Sequence, residues 1–299
     1  MKKRHSTNKL FNRATGVLLL VLAVVLSGAP VFGQEEADAD KKESSDKKPA
    51  RPAFESAQLL DEQSVVVPAA KTLEFNIQHR FGLANNGIDD LFGIYAPGAN
   101  IRLGFNYSVI ENLSVGFGYA KLKKYLDFNA KYALLKQRRD WSVPVSVTLY
   151  GDAAIDNRDD IYDEFVHRVS YFGEVIVASR LSDKISIQVT PSFSHYNAID
   201  SLYSHDIFSV GISGRFKFSS QSSLIINYTQ QLSDHNDPNF KLRPGFTVGW
   251  EIATSGHAFQ IFATSFQGIL PQENVTFNPN DFFGGEFLIG FNITRLWNF

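Results

Sequence analysis

The chain has 299 residues, room for one large domain or two small ones, and a formal net charge of -2 at pH 7. So weak a net charge offers no strong pull toward nucleic acid or anionic membranes. Twenty-six Phe and eleven Tyr stand beside a single Met and no Cys, and the missing Cys excludes disulfides, a lipidated cysteine anchor and thiolate metal sites.

In chain order, Lys2, Lys3, Arg4, Lys9 and Arg13 precede the apolar run Val17–Leu26, and "SGAPVFGQ" then sets Val31 and Gly33 where a signal peptidase wants small residues. This pattern predicts a secretory signal over 1–33, cut after Gly33. Ten apolar residues fall short of the roughly 20 that an uncleaved membrane helix needs. The stretch "QEEADADKKESSDKKPARPAFESA" over 34–57 is charged and small, with little to bury. Residues 34–70 are therefore expected to form a flexible charged linker in the periplasm.

From Lys71 the pattern changes to a period of two. "TLEFNIQHRF" puts Leu73, Phe75, Ile77 and Phe81 on one face and Glu74, Asn76, Gln78 and Arg80 on the other. "NIRLGFNYSV" and "LSVGFGYA" repeat the alternation, which means strands, since a helix would show a period near 3.6. Twelve such segments are expected, near 71–81, 99–110, 113–121, 125–136, 143–153, 166–179, 184–196, 206–218, 223–232, 244–254, 257–266 and 283–299. The sixth and eleventh are the least clean, because Phe172, Ile176, Phe262 and Phe266 fall on the nominally polar face.

Alternation alone fits a soluble sandwich or a membrane barrel. Segment lengths near ten residues match a tilted membrane strand better than the mode of about 5–6 in globular sheets. The links also sort into long (82–98, 154–165, 197–205, 233–243, 267–282) and short (111–112, 137–142, 180–183, 219–222, 255–256), with 122–124 the exception. Sorting of this kind belongs to outer-membrane barrels. Aromatics gather near strand ends, with Tyr107, Trp141, Phe218, Trp297 and Phe299 toward the short turns and Tyr119, Tyr125, Tyr196 and Phe246 toward the long loops, as interface belts would. The expected fold is all-β: a closed antiparallel up-and-down transmembrane barrel over 71–299, with short periplasmic turns and longer extracellular loops.

The polar parity carries Glu74, Arg80, Arg102, Asp127, Lys131, Glu174, Arg215, Lys217, Glu251 and Glu286, expected to face the lumen. About twelve strands lie between the roughly 8 that side chains fill and the roughly 16 that leave a wide channel, so a narrow pore and a salt-bridged plug are both open. Mixed signs would give a pore weak ion selectivity. The longest outer loop, with "IDDLFGIY" at its centre, is either a loop tip or a constriction folded over the mouth. The acidic stretch "DAAIDNRDDIYDE" lacks the spacing of a Ca²⁺ loop, and His195, His205 and His235 show no metal-ligand spacing. Ser194-His195 would suit the base of a lipid hydrolase site, but a nucleophilic Ser one strand away on the same face is not evident. No catalytic residue, metal site or cofactor is assigned. The chain ends in "FNITRLWNF", whose Ile293, Trp297 and Phe299 share one face and form a candidate assembly signal.

At "FNIQHRFG" and "GIDDLFGIYAPGANIRLGFNYSVIENLSVGFGYAKLKKYLDFNAKYALLKQ" the sequence resembles an uncharacterised outer-membrane β-barrel family of the Bacteroidota, a domain of unknown function. The resemblance spans most of 72–299 and implies a Gram-negative outer membrane, with no substrate or catalytic residue. The expected function is a narrow pore or small-solute transport or binding channel. The alternatives are a plugged structural or accessory envelope barrel and a lipid-modifying enzyme. The expected partners are outer-membrane lipids, the outer-membrane assembly machinery and a small solute, with no nucleic acid.

Overall fold

A computed structural model describes residues 47–237, 239 and 242–299. The expected signal peptide and residues 34–46 lie outside the described residues. A minimal hairpin comes first, β1 (Gln58–Leu59) and β2 (Glu62–Gln63). Twelve long strands follow: β3 (Thr72–Leu83), β4 (Asn100–Ile110), β5 (Leu113–Ala120), β6 (Leu126–Leu135), β7 (Ser146–Ile155) and β8 (Val169–Arg180). The rest are β9 (Ile185–Tyr196), β10 (Asp206–Lys217), β11 (Ser222–Gln231), β12 (Gly245–Ala253), β13 (His257–Thr264) and β14 (Leu288–Asn298). Among the described residues one short α-helix, α1 (Pro271–Phe277), lies between β13 and β14.

Strands β3 to β14 each pair antiparallel with their chain neighbours, and β14 returns to β3 to close the barrel. The closing register sets Ile293 opposite Ile77 and Trp297 opposite Leu73. Closure leaves no strand edge, which a chain in hydrocarbon cannot afford. The outward parity is apolar and open, with Leu103, Phe105, Phe117, Phe128, Trp250 and Ile261 all exposed. The inward parity of β3 is buried residue by residue from Thr72 to Arg80. An exposed apolar wall around a buried polar interior inverts the soluble pattern and fits a barrel spanning a bilayer.

The chain before β3 differs from its expected form as a linker. Residues 53–66 are packed inside the barrel, with Ala53, Phe54, Leu59, Leu60 and Val65 nearly inaccessible. They enter at the short-turn rim, where Pro49 bridges Arg138, and return to it before Thr72. Composition accounts for this: Lys, Asp and Glu dominate up to Arg51, whereas "AFESAQLLDEQSVVVPAA" carries enough apolar surface to be buried. Its receptor is the set of apolar residues that interrupt the polar parity. Phe172, Ile176, Ala178, Ile207, Ile225 and Phe262 point inward and form one core with the entering segment.

Candidate functional site: a lumen filled from both ends

Inside a barrel, an entering segment has no sheet to satisfy its backbone. Here the wall supplies side-chain amides. Asn227 donates to the carbonyl of Leu59 at 2.6 Å and Asn292 to that of Leu60 at 2.9 Å. Gln260 accepts from the Leu60 N–H and donates to the Gln58 carbonyl, and Gln188 does the same for Val65 and Gln63. Leu60, at the hairpin turn, has φ of 56°. That left-handed conformation costs a non-glycine residue about 1–2 kcal/mol, and full burial of the side chain offsets it.

Charge finishes the seat. One oxygen of Asp61 accepts from Nε of Arg80 at 3.0 Å and from its Nη2 at 2.5 Å, both side chains being fully buried. The other oxygen accepts from the hydroxyls of Thr247 and Thr264, each at 2.6 Å. Arg80 also lies 4.4 Å over the ring of Phe262. Near the short-turn rim, Glu55 pairs with Lys217 at 2.6 Å and Arg215 at 3.3 Å. Burial works to raise the Glu55 pKa, but Lys217 and Arg215 together hold it below the usual carboxylate value. Ser56 donates to Glu251 at 2.7 Å. Glu62 accepts from Thr229, and desolvation, with Asp61 adding, pushes its pKa up to about 7 against that hydrogen bond.

A second element closes the long-loop end. Residues Gln272–Thr276 of α1 are all buried, because a polar helix suits a polar lumen. Gln272 donates to Asp152 at 2.7 Å, the Thr276 hydroxyl meets that of Ser194 at 3.0 Å, and Nε2 of His235 lies 2.9 Å from the Thr276 carbonyl. Lys123, from the β5–β6 hairpin, pairs with Glu273 at 3.3 Å and sits 4.1 Å over Phe277. Burial raises the Glu273 pKa despite Lys123. The loop 82–98, the sequence's candidate for a constriction, stays at the mouth instead, with Ile88 and Tyr95 largely exposed. Gly93 explains its course. At φ of 87° it folds so close to β3 that a Cβ would meet the Gly82 carbonyl, and Gly82 donates back to it at 2.9 Å.

Glu74, Arg80, Arg102, Asp127, Lys131, Glu174, Arg215 and Glu251 are inward and buried, and Lys217 lies at the rim. Glu286, also expected to face the lumen, instead precedes β14 in an exposed turn, where its carboxylate accepts from the Asp281 N–H, because the last strand begins at Leu288 rather than at 283. Only Arg102 and Asp127 pair wall to wall, through two hydrogen bonds of 2.8 and 2.6 Å, among the inward charges with described salt bridges; Arg80, Arg215 and Lys217 answer carboxylates of the entering segment. Tyr125 and Tyr196 are buried rather than in an interface belt.

What remains of the lumen is narrow. Mid-barrel, about 30 Å³ stays open along β3–β6, bounded by Asn76, Gln78, Arg102, Asn106, Asn129 and Lys131, room for about two waters. A cavity of about 210 Å³ adjoins it at the short-turn end, sharing Ala57, Pro68 and Glu74. Ile269, Leu270 and Pro271 bound the mid-barrel space, and beyond them a cavity of about 190 Å³ lies by Lys123, Glu273 and Phe277. On the outer wall, His195 has a carboxylate partner, Asp206 at 2.7 Å. The position across the other neighbouring strand is Tyr171, so no nucleophilic Ser completes a triad there. No group of metal-ligating side chains occurs among the described residues.

This geometry defines a class, a membrane-spanning twelve-stranded barrel with its lumen occupied by its own chain. The chain belongs to the family described as membrane bound beta barrel domain (DUF5777), matched over residues 54–297. The matched span takes in the lumen segment from Phe54 onward and all of α1. No curated protein matches. Among solved structures the chain is similar to the NanC porin (8% identity, TM-score 0.48, covering 76% of this chain and 99% of that one). It is also similar to an outer membrane channel from Pseudomonas putida F1 (14%, 0.47, 78% and 97%). A third is the KdgM porin (8%, 0.45, 76% and 99%).

Proposed function

We propose that this protein is an outer-membrane channel, closed at rest, that passes small polar solutes along one side of its lumen when the α1 loop lifts. The observation that carries the reading is the division of the inner wall. The arc from β8 to β13, where Phe172, Ile176, Ile207, Ile225 and Phe262 stand among amides and hydroxyls, is covered by the entering segment, while the arc from β3 to β6, polar throughout, faces the mid-barrel space. A barrel sealed for structure alone has no need of a polar wall left facing a gap. Arg102, Lys131, Glu74 and Asp61 around that gap favour weak ion selectivity. In this reading the N-terminal signal directs export and is cut after Gly33, the short turns face the periplasm, and Ile293, Trp297 and Phe299 address the chain to the outer-membrane assembly machinery. A Bacteroidota source fits the sequence resemblance.

Planar-bilayer conductance tests it. The intact protein should show brief, small openings, and replacement of residues 267–279 by a short Gly/Ser linker should give a steady, weakly selective current. A folded variant as silent as the parent would overturn the channel and leave the plugged accessory barrel. The division of the wall disfavours a lipid-modifying enzyme, as does the missing Ser beside His195.

A further inference from the structure

The short-turn rim is electrically lopsided. Its turns between β4 and β5, β10 and β11, and β12 and β13 carry Glu111 as their one charged side chain, and the cations beside them, Lys71, Lys217 and Arg295, stand singly, Lys217 being paired with Glu55. On the opposite arc stand Lys48, Arg51, Lys136, Arg138, Arg139 and Lys184, all exposed. They come from three separate segments that the fold ties together. Ala50 donates to the Gln137 carbonyl at 2.7 Å, and Arg139 N–H to that of Lys48 at 3.2 Å. Gln137 exchanges hydrogen bonds with the backbone of Arg180 at 2.8 and 3.1 Å, and the Arg180 guanidinium reaches the Pro52 carbonyl at 3.4 Å. The two acids within the arc's turns, Asp140, held by Ser142 and facing Arg138, and Asp183, paired with Arg180, are fewer than its cations and leave the arc net positive. No salt bridge among the described residues engages Lys48, Arg51, Arg138 or Arg139. A framework that holds like charges together works against their repulsion, and an anion resolves it.

The depth of the cluster names the anion. Leu134 and Leu135 lead directly into Lys136, and Leu181 and Ile185 flank Lys184, all four exposed on the lipid-facing wall. Lys136 and Lys184 each stand one residue from the exposed apolar wall, about 3.3 Å of chain, so the cations start at the level where that wall ends, which in a bilayer is the headgroup layer. Trp141, half-buried beside them, has the amphipathic ring that favours this layer. We propose that this arc is a binding site for the phosphate of an anionic phospholipid in the leaflet that meets the short turns. Because Lys48 and Arg51 are the root of the lumen segment and Arg138 and Arg139 belong to the wall, one bound headgroup pins the two together. The proposal needs only a barrel in a bilayer, so it stands or falls apart from conduction.

The test reconstitutes the full exported chain in nanodiscs of phosphatidylcholine with and without phosphatidylglycerol, and counts retained lipids by native mass spectrometry. The parent should retain phosphatidylglycerol over phosphatidylcholine, and the preference should fall about tenfold or more in R138Q/R139Q and with added salt. K121Q/K124Q, at the other end of the barrel, should keep it. Heat-modifiable migration verifies that each variant is folded. No preference in the parent, or an equal preference in R138Q/R139Q, overturns the site. Arg138-dependent binding of soluble peptidoglycan fragments without phosphatidylglycerol retention would assign the arc to the cell wall and overturn it as well.

Discussion

Asp61→Ala is the most direct way to unseat the lumen segment. In the parent, Asp61 neutralises the fully buried Arg80 and accepts from two threonine hydroxyls. The threonines lose least, since the Thr247 hydroxyl, released from Asp61, can donate to that of Thr264, 2.9 Å away. Arg80 keeps the Asn292 side chain, the His79 carbonyl and the Phe262 ring, but no carboxylate. Orphaning a buried charge costs about 3–5 kcal/mol, which corresponds to an increase of roughly 10²- to 4 × 10³-fold in the unseated population. Because the chain contains no cysteine, a single Ser64→Cys change supplies a clean probe at a position that is fully buried within the lumen segment. Maleimide labelling of S64C in proteoliposomes should be slow, and in S64C/D61A faster by that factor. Replacing both charges, as in D61L/R80M, should restore most of the protection, because no unpaired charge is then left. Equal labelling with and without D61A, in folded barrels, would refute the reasoning and leave the segment held by its apolar core alone.

Glu62 gives the seat a pH dependence. Its pKa is about 7 when seated, above the ordinary carboxylate value, so the seated state holds the extra proton. Its contribution is complete below about pH 4.5 and is lost as pH rises toward 7, by at most about 3 kcal/mol. Normalised at each pH to labelling of the unfolded protein, so that thiol ionisation cancels, S64C labelling should therefore quicken between about pH 4.5 and 7 by an amount that Glu62→Gln abolishes, and a flat normalised profile in the parent would contradict it. Glu55 acts in the opposite sense, its depressed pKa adding stability that is lost only as pH falls below the ordinary carboxylate range. Lys123→Ala removes the counter-charge of Glu273 and the cation over Phe277, which costs about 1–3 kcal/mol and should lengthen the open time in bilayer recordings; unchanged open times would remove Lys123 as a latch. Deletion of Phe299 should lower the amount of heat-modifiable folded protein in the outer membrane, and an undiminished amount would contradict its role in assembly.

The barrel was legible in the sequence because strand alternation is local. Leu73, Phe75 and Ile77 against Glu74, Asn76 and Gln78 name two faces without reference to the rest of the chain, and twelve such stretches with sorted links already imply closure. The parity of Glu74, Arg80, Arg102 and Lys131 carried over for the same reason, while Glu286 failed where alternation ran on into a turn. The filling of the lumen was another matter. Its signal was present in two places, in Phe54, Leu59, Leu60 and Val65 among residues read as a linker and in Phe172, Ile176 and Phe262 among residues read as blemishes on a polar face. Each is an apolar surface lacking a partner, and hydrophobic burial is non-directional, so neither set names the other. Only closure brings them within reach, and it does the same for Asp61 and Arg80, for Gln272 and Asp152, and for the cations of three separate segments at the rim. The period of two decided that this chain is a wall; what stands inside the wall was decided by contacts between residues far apart in the sequence, which no local pattern encodes.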